Sequence, residues 1–571
     1  MPPLGRRPLL LLACALLLTA AATAHKLGNE LVWDDLYVIE QGEVIHDWAH
    51  LPDVMANRTM YASVAPDATA GAATGVDTWR PVTLATFMWD STISGRDPIA
   101  YHVTNLLLHL GCVTLLFFLA RRLLPERHRP LAPFAAAWFG VTPLLGEAHV
   151  WIDGRSDPLC ALFGLAALLL WCRAQDEGVS GVLRWVGFVG SALLFLAGLL
   201  SKEVLLLALP AVVLFPFDHP TPLRERLRRA SGFIVTGLLY LGLRAQVLSG
   251  LRTHQNPDQL MAALLRLPAL LLDGLLELLV PTRVHVRLLL EDYNALGPAV
   301  LGALFLPVLA LAILLIAYRR RAPLLSWGAL LYACTLAPAA IIATLLWPGF
   351  GRYLYLPAVG VAVALASGAG WLLDRPALRD RRWLLGALGG VYLIALGVRL
   401  HFWVYDWHDE ETLWTRTAEE CPDRSHGHGF LGMTLLEQDR PGEAVPELLK
   451  ADQLAPDRPR YLKQLGWAFY AMGETNASLN IAATGIERYD GAPAFQLLAA
   501  HNLRAARPDL AVHHLLECLR RSPADPGCRQ LVRELCADPA WGAICRATLE
   551  QSLEEASDAE LEAAVRPLLG G

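Results

Sequence analysis

Long apolar segments recur through roughly the first 400 residues of this 571-residue chain, and they constrain its fold more than any other feature. A helix needs about 20 apolar residues to cross the hydrocarbon core of a bilayer, and most of the segments have about that length. With 54% hydrophobic and 18% charged residues, the chain is also too apolar for a soluble protein of its length. The sequence therefore predicts an all-α, polytopic membrane protein with about eleven transmembrane helices. The predicted spans are residues 8–24, 99–120, 131–150, 157–174, 184–200, 202–217, 231–248, 296–317, 324–346, 354–372 and 383–401.

The connecting segments predict how these helices are oriented. Arginines cluster in alternate connectors, and the positive-inside rule places such clusters in the cytoplasm. The leucine-rich segment 260–280 is interpreted as an interfacial or re-entrant helix, because counting it as a span would move the arginines at 319–321 to the opposite side. The N-terminus is then cytoplasmic, and an odd number of spans exports the C-terminus. The basic connectors are 121–129, 173–184, 224–229, 319–321 and 375–382.

The first apolar segment also has a second interpretation, as a cleaved signal peptide. The sequence Ala-Thr-Ala-His at 22–25 supplies the small residues that such a cleavage site needs. The apolar run before it is long for the hydrophobic region of a signal peptide, so an uncleaved first span is favoured. Together with the positive-inside rule, this predicts an integral membrane protein, and a bacterial inner membrane is the expected location.

After about residue 405 the composition becomes polar, and a 34-residue repeat begins. Leu431 and Gly432 of the first unit recur one period later as Leu465 and Gly466, and a weaker third unit covers 493–526. This spacing is typical of tetratricopeptide repeats, in which small residues let paired helices approach closely. We therefore expect a membrane domain over 1–405, a tetratricopeptide α-solenoid over 406–526 and capping helices over 527–571. An unrelated helical domain is the alternative.

The ten cysteines divide between these two parts. Five lie in or beside apolar segments, where cysteine behaves as a small hydrophobic residue. An oxidising compartment would permit disulfides among the other five, although the sequence does not define their connectivity and one must stay unpaired. These five are Cys421, Cys518, Cys528, Cys536 and Cys545.

The first exported loop, residues 25–98, contains the adjacent acidic residues Asp34 and Asp35 soon after the first span. Loops of this length tend to carry function. Two neighbouring carboxylates at a membrane surface suggest proton abstraction. An interfacial helix cap or a fragment of a calcium site would explain the pair equally well.

Further polar side chains collect at span ends on the same side of the membrane, where charged residues are usually functional. Each has a simpler explanation: the histidines as interfacial hydrogen-bonding groups, Lys202 and Glu203 as an ion pair, and Arg352 as a side chain reaching the lipid head groups. A site for a phosphate-bearing lipid explains why cations and carboxylates recur together. The group comprises Arg80, His102, His109, Glu147, Arg155, Asp157, Lys202, Glu203, Arg352, Tyr353 and Tyr355.

The order of these motifs resembles the transmembrane and tetratricopeptide-repeat-containing O-mannosyltransferase family. The shared motifs are Trp33-Asp34-Asp35, Trp79-Arg80-Pro81, Tyr101-His102-x-x-Asn105-x-x-x-His109, Gly146-Glu147 through Asp157, Ser201-Lys202-Glu203 and Gly351-Arg352-Tyr353-Leu354-Tyr355, followed by the repeats. The resemblance covers nearly the whole chain. One departure is Thr142-Pro143-Leu144-Leu145, where the family usually begins the turn with His-Pro.

The resemblance implies the GT-C glycosyltransferase fold, a polyprenyl-phosphate-linked sugar as donor, and a hydroxyl of an exported polypeptide as acceptor. The sugar would be mannose, transferred with inversion. Asp34 would then be the general base and Asp35 would position the base or the acceptor, while Arg352, Lys202 and Arg155 would bind the donor phosphate. No metal or other cofactor is expected to be obligatory, although two adjacent carboxylates could hold a divalent ion.

Two other classes of function are compatible with the sequence. A flippase for lipid-linked sugars would also use buried cations, but it should place them along a path through the spans rather than at one set of span ends. A non-catalytic scaffold would use the repeats to bind proteins and would not need the acidic pair. No nucleic-acid partner is expected in any of the three cases.

Overall fold

The computed structural model describes residues 5–56, 79–217, 221–247, 257–284, 286, 304–345, 351–556 and 559–569. Within these residues every regular element is a helix, so the predicted all-α class is confirmed. The chain divides into two compact units, Met1–Asp409 and Glu410–Gly571.

The first unit contains fifteen described α-helices. Their bounds are α1 Arg6–Thr23, α2 Leu51–Ala56, α3 Pro81–Ser94, α4 Ile99–Leu123, α5 Ala132–Val141, α6 Glu147–Val150, α7 Ser156–Ala174, α8 Gly181–Ser201, α9 Leu209–Val213, α10 Leu223–Val247, α11 Pro257–Leu279, α12 Phe305–Tyr318, α13 Pro323–Leu345, α14 Tyr355–Leu373 and α15 Arg382–Asp406. Short 3-10 helices join several of them, including Pro143–Gly146, Asp153–Arg155, Glu203–Ala208 and Gly351–Leu354.

Among the described residues, seven helical segments are long and apolar enough to cross a membrane. They are Arg6–Gly28, Ile99–Leu123, Asp153–Ala174, Gly181–Ser201, Leu223–Val247, Gly351–Leu373 and Arg382–Asp406. All seven coincide with predicted spans, and the chain is a multi-pass membrane protein. The leucine-rich segment predicted to lie at the interface is helical, as α11.

Two other predicted spans are interrupted helices. In 131–150, α5 ends at Val141 because Pro143 disfavours a helical conformation at Thr142, whose ψ is 117°. In 202–217, a 3-10 helix and the five-residue α9 replace a continuous helix. The first interruption places irregular backbone directly before the motif residue Glu147. The second interruption begins at the motif residue Lys202.

The long loop between the first two predicted spans is folded where the structure describes it. Apolar side chains of residues 38–54 pack against α3 in a small core that includes Val38, Ile39, Leu84 and Phe87. The segment predicted to be one long polar loop therefore contains α2 and the 14-residue helix α3. Residues 57–78 of this loop lie outside the described residues.

The second unit repeats pairs of short helices. The first helices of successive pairs begin at Ser425, Pro459 and Pro493, and these starting points are 34 residues apart, the predicted period. Gly466 shows why the period keeps a small residue, since a Cβ there would lie 2.3 Å from Leu498 Cδ2. The described helices of this unit are α16 Glu410–Glu420, α17 Ser425–Glu437, α18 Pro441–Leu454, α19 Pro459–Ala471, α20 Thr475–Arg488, α21 Pro493–Leu503, α22 Pro508–Arg521, α23 Pro526–Ala537, α24 Gly542–Ala556 and α25 Ala559–Leu569.

Two disulfides lie at the C-terminal end of this unit. They join Cys518 to Cys528 and Cys536 to Cys545, so each links neighbouring helices, and Cys421 belongs to neither. The sequence did not define this connectivity. Both bridges border one apolar core formed by α22 to α25.

Candidate functional site

The two acidic residues of the loop between α1 and α4 have different environments. Trp33 adopts a left-handed conformation, with φ of 57°, which turns the chain sharply before Asp34. Asp35 is buried, and its carboxylate accepts backbone N–H groups of Asp153 at 2.9 Å and of Ile152 at 3.4 Å. Asp34 is only half-buried. Asp35 therefore fastens the acidic loop to the segment 152–153, while Asp34 lies nearer the surface.

The pKa of Asp35 lies well above its usual range. Burial disfavours the charged carboxylate, and the neighbouring carboxylate of Asp153 adds repulsion. The backbone N–H donors offset part of this effect. A buried carboxyl group that is held by backbone amides suits positioning better than contact with a substrate.

An aromatic stack connects the acidic loop to the predicted phosphate-binding arginine. Trp33 stacks on Trp151 with ring centroids 4.7 Å apart. The Arg352 guanidinium lies 4.6 Å from the centroid of Trp151 and 5.2 Å from that of Tyr353. Cation–π contacts of this kind hold an arginine in place without using its N–H donors. Arg352 therefore lies one aromatic ring away from Trp33.

Glu147 is the carboxylate nearest to Arg352 among the described ion pairs. One of its oxygens lies 4.0 Å from Arg352 Nε, and the other accepts the backbone N–H of Gly351 at 3.1 Å. Gly351 is required there, because a Cβ would lie 2.4 Å from the carbonyl oxygen of Leu144.

Lys202 pairs with Asp157 rather than with its neighbour in sequence. Its Nζ lies 2.5 Å from Asp157 Oδ2 and 5.1 Å from the ring centroid of Tyr353, and both charged side chains are buried. The backbone at Lys202 is extended, so its side chain and that of Glu203 point apart. Glu203 instead binds Arg80 at 3.0 Å. The interpretation of Lys202 and Glu203 as an ion pair with each other is wrong.

Arg155 is fully buried and is surrounded by partners. It forms an ion pair with Asp90 at 2.5 Å, and it donates to Asn105 Oδ1 at 2.5 Å and to the carbonyl oxygen of Tyr101 at 2.8 Å. It also lies 4.5 Å from the ring centroid of Phe87. These contacts join α3, α4 and the start of α7, which is a structural role for the guanidinium.

Asp90→Asn should destabilise the protein by about 3–5 kcal/mol, because it leaves the buried Arg155 charge without a counter-ion. Thermal unfolding of the purified protein would measure this loss. Glu43→Gln is the matched control, since Glu43 pairs with Arg96 in the same loop but both side chains are exposed; its effect should stay below about 1 kcal/mol. Equal stability of the two variants would contradict the structural role of Arg155.

The predicted histidines are buried hydrogen-bonding groups. His102 Nε2 lies 3.2 Å from the carbonyl oxygen of Asn29, and His109 Nδ1 lies 2.7 Å from the Tyr355 hydroxyl. Lys26, which sequence reasoning missed, is also fully buried and donates to the carbonyl oxygen of His149 at 2.5 Å. These contacts connect the segment that follows α1 to α4 and α6, and they connect α4 to α14.

The structure thus brings most of the predicted residues into one connected cluster. Contacts run from Asp35 through residues 151–153 to Arg352, Tyr353, Lys202 and Asp157. His102, His109, Tyr355 and Arg155 lie beside this cluster as buried supports. The sequence did not identify Asp90 as a site residue, although a carboxylate within the apolar helix α3 could have indicated it. It also did not identify the contacts that Lys26, Trp33 and Trp151 make.

The fold and this cluster define a multi-pass, all-α membrane protein in which cations and carboxylates gather at one set of helix ends. No protein-family model matches the chain. The chain is 34% identical over 131 residues to the protein O-mannosyl-transferase Tmtc1 of Drosophila melanogaster, covering 23% of this chain and 14% of that protein. It is 36% identical over 124 residues to the human protein O-mannosyl-transferase TMTC4, covering 19% and 17%.

A longer match joins the chain to the protein O-mannosyl-transferase TMTC3 of Mus musculus, with 23% identity over 420 residues, 66% of this chain and 44% of that protein. The chain therefore spans less than half the length of each of these three curated relatives. These similarities are to protein O-mannosyl-transferases of the family that the motifs resemble.

Proposed function

We propose that this protein is a membrane glycosyltransferase that moves a sugar, mannose by analogy with its relatives, from a polyprenyl-phosphate carrier to a hydroxyl group of an exported protein. The supporting observation is the continuous contact from the acidic loop through Trp151 to Arg352, Tyr353 and Lys202. These contacts connect the loop that carries the acidic pair to two cations. Such a reaction needs both, one for the acceptor proton and the other for the departing phosphate.

In the proposed reaction, the acceptor oxygen attacks the anomeric carbon of the sugar. The hydroxyl proton moves to the carboxylate of Asp34, a new carbon–oxygen bond forms, and the bond between the anomeric carbon and the phosphate oxygen breaks. The electron pair leaves on the polyprenyl phosphate. A single displacement of this kind inverts the anomeric configuration, and it requires no metal or redox cofactor.

The buried groups have positioning roles in this proposal. Asp35 fixes the acidic loop through the backbone amides of residues 152 and 153. Arg352 and Lys202 are the proposed phosphate ligands, and arginine suits phosphate because its planar fork donates two N–H groups together. Arg155 is a weaker candidate, because Asp90, Asn105 and Tyr101 occupy its donors.

The direct experiment is incubation of the purified full chain with polyprenyl-phosphate mannose and an acceptor peptide, with and without a chelator, followed by mass spectrometry. The proposal requires a peptide heavier by one hexose, in both the presence and the absence of chelator. A flippase would instead move the lipid-linked sugar across a vesicle bilayer and leave the peptide unchanged. A scaffold would do neither.

We also propose that the repeats of the second unit bind the acceptor polypeptide on the exported side. The disulfides Cys518–Cys528 and Cys536–Cys545 support this location, since disulfides persist in oxidising compartments and are rare in the cytosol. The basic connectors support the same orientation. Asp34 and the second unit would then face the same compartment.

Single cysteines at Glu43 and Asp490 should both react with a membrane-impermeant maleimide in intact cells, because both positions are exposed and both are proposed to face outward. The background protein would lack accessible native thiols. A cysteine at Arg320, exposed in a basic connector, is the matched control and should react only after permeabilisation. Labelling of only one of the two test positions would contradict either the odd number of spans or the coupling of the repeats to catalysis.

A further inference from the structure

Three tryptophans beside the acidic loop have buried indole N–H groups with no hydrogen-bond acceptor among the described residues. They are Trp151, Trp403 and Trp407, and each side chain is at most 2% exposed. The centroids of Trp151 and Trp407 lie 6.4 Å apart, and those of Trp403 and Trp407 lie 5.6 Å apart. The three rings form one cluster, which we call the tryptophan cluster.

This concentration of unsatisfied donors is unusual for a folded protein. An indole offers one N–H donor and no acceptor, so it can be satisfied only by an oxygen or another acceptor. Nearly all buried polar groups in native structures have a partner, either from the protein or from ordered water. Three such donors in adjoining rings therefore require an acceptor that the described residues do not supply.

A buried acceptor without a donor lies next to the same cluster. Among the described residues, no donor lies within hydrogen-bond distance of Glu147 Oε1, and Arg352 Nε is 4.0 Å away, while the other oxygen accepts the backbone N–H of Gly351. Trp403 Nε1 lies only 3.2 Å from the position that a Cβ on Gly146 would take, and Gly146 immediately precedes Glu147. The faces of Trp151 are already in contact with Trp33 and Arg352, which leaves its N–H edge for another partner.

The unsatisfied indole donors and the unsatisfied Glu147 acceptor together indicate which chemical groups the ligand carries. A hydroxyl group can accept from an indole N–H and donate to the Glu147 carboxylate, whereas a phosphate oxygen can only accept and would be repelled by that carboxylate. Several hydroxyls on one ring could satisfy several of these groups together. Aromatic side chains also suit a ligand that is apolar on one face and polar at its edge.

We infer that the tryptophan cluster and Glu147 form the subsite for the hydroxyl-bearing sugar ring of the lipid-linked donor. The inference rests on the proposed function, because that function supplies the sugar. Arg352, which contacts Trp151 and lies near Glu147, would then lie beside the bond that joins the sugar to the phosphate.

Trp403→Phe and Trp407→Phe test the subsite, since each removes an N–H group and keeps an aromatic ring. Each variant of the full chain in nanodiscs should bind polyprenyl-phosphate mannose about 2- to 10-fold more weakly, the effect of one hydrogen bond. Binding of polyprenyl phosphate without sugar should be unchanged. Trp171→Phe is the matched control and should leave both affinities unchanged, because Trp171 Nε1 already donates to the carbonyl oxygen of Arg229.

Every other outcome would contradict the inference, and each would indicate a different explanation. Unchanged affinity for the mannosyl lipid would indicate that the indole N–H groups donate to buried water. Equal losses of affinity for both lipids would indicate that they donate to the phosphate. A wild-type protein that binds neither lipid would overturn the proposed function as well as the subsite. If a variant fails to fold, indole 15N signals of the wild-type chain provide a second test, since they should shift with the mannosyl lipid and not with polyprenyl phosphate.

Discussion

Asp34→Asn should slow sugar transfer about 10²- to 10⁴-fold, the usual cost of removing a general base, while donor binding stays close to that of the wild type. The amide keeps the shape of the side chain but does not take a proton at neutral pH. Asp34 is half-buried, and thermal unfolding of the variant would report separately on any change in stability. Turnover at saturating donor and acceptor, together with equilibrium binding of the donor, would separate the two effects.

Asp35→Asn is the control for this prediction, because its carboxylate has a different environment. An amide at this buried position would turn an NH₂ group towards backbone N–H donors, so we expect lower stability and weaker acceptor use rather than a purely catalytic defect. A larger fall in turnover for Asp35→Asn than for Asp34→Asn, at normal stability, would exchange the proposed roles. Near-normal turnover of Asp34→Asn would remove it as the base.

The sequence predicted the helical fold well because a bilayer imposes a length and a composition on each crossing segment. Seven predicted spans appear as long apolar helices. The prediction of a continuous helix was wrong at 131–150 and 202–217, where the apolar run continues but the backbone does not remain helical. Hydropathy reports whether a segment prefers lipid, and it carries little information on where a proline or a motif turn interrupts the helix.

The motifs located the candidate site, but they did not predict which charges would pair. Lys202 lies next to Glu203 in sequence and pairs instead with Asp157, because an extended backbone sends neighbouring side chains apart. Arg155 finds its counter-ion in Asp90, 65 residues earlier on another helix. Such partners depend on how helices pack, which local sequence does not specify.

Arg352→Ala should weaken binding of the polyprenyl-phosphate donor about 10- to 150-fold, since hydrogen bonds to charged groups contribute about 1.5–3 kcal/mol. Arg352→Lys should also weaken binding, because a lysine offers a point charge in place of the planar fork and loses the stacking on Trp151 and Tyr353. Titration of wild type and variants with polyprenyl phosphate would measure the effect. Binding of polyprenyl phosphate to the wild type should also weaken at higher salt.

Arg173→Lys is the matched control for this substitution, because Arg173 is largely exposed and pairs with Asp176 away from the cluster. Its donor affinity should equal that of the wild type. Lys202→Ala provides the independent test of the second cation. Its thermal stability should be measured as well, because the variant leaves Asp157 buried without its partner. Unchanged donor affinity in both Arg352→Ala and Lys202→Ala would exclude these cations from the phosphate site, and the scaffold function would then account better for the chain.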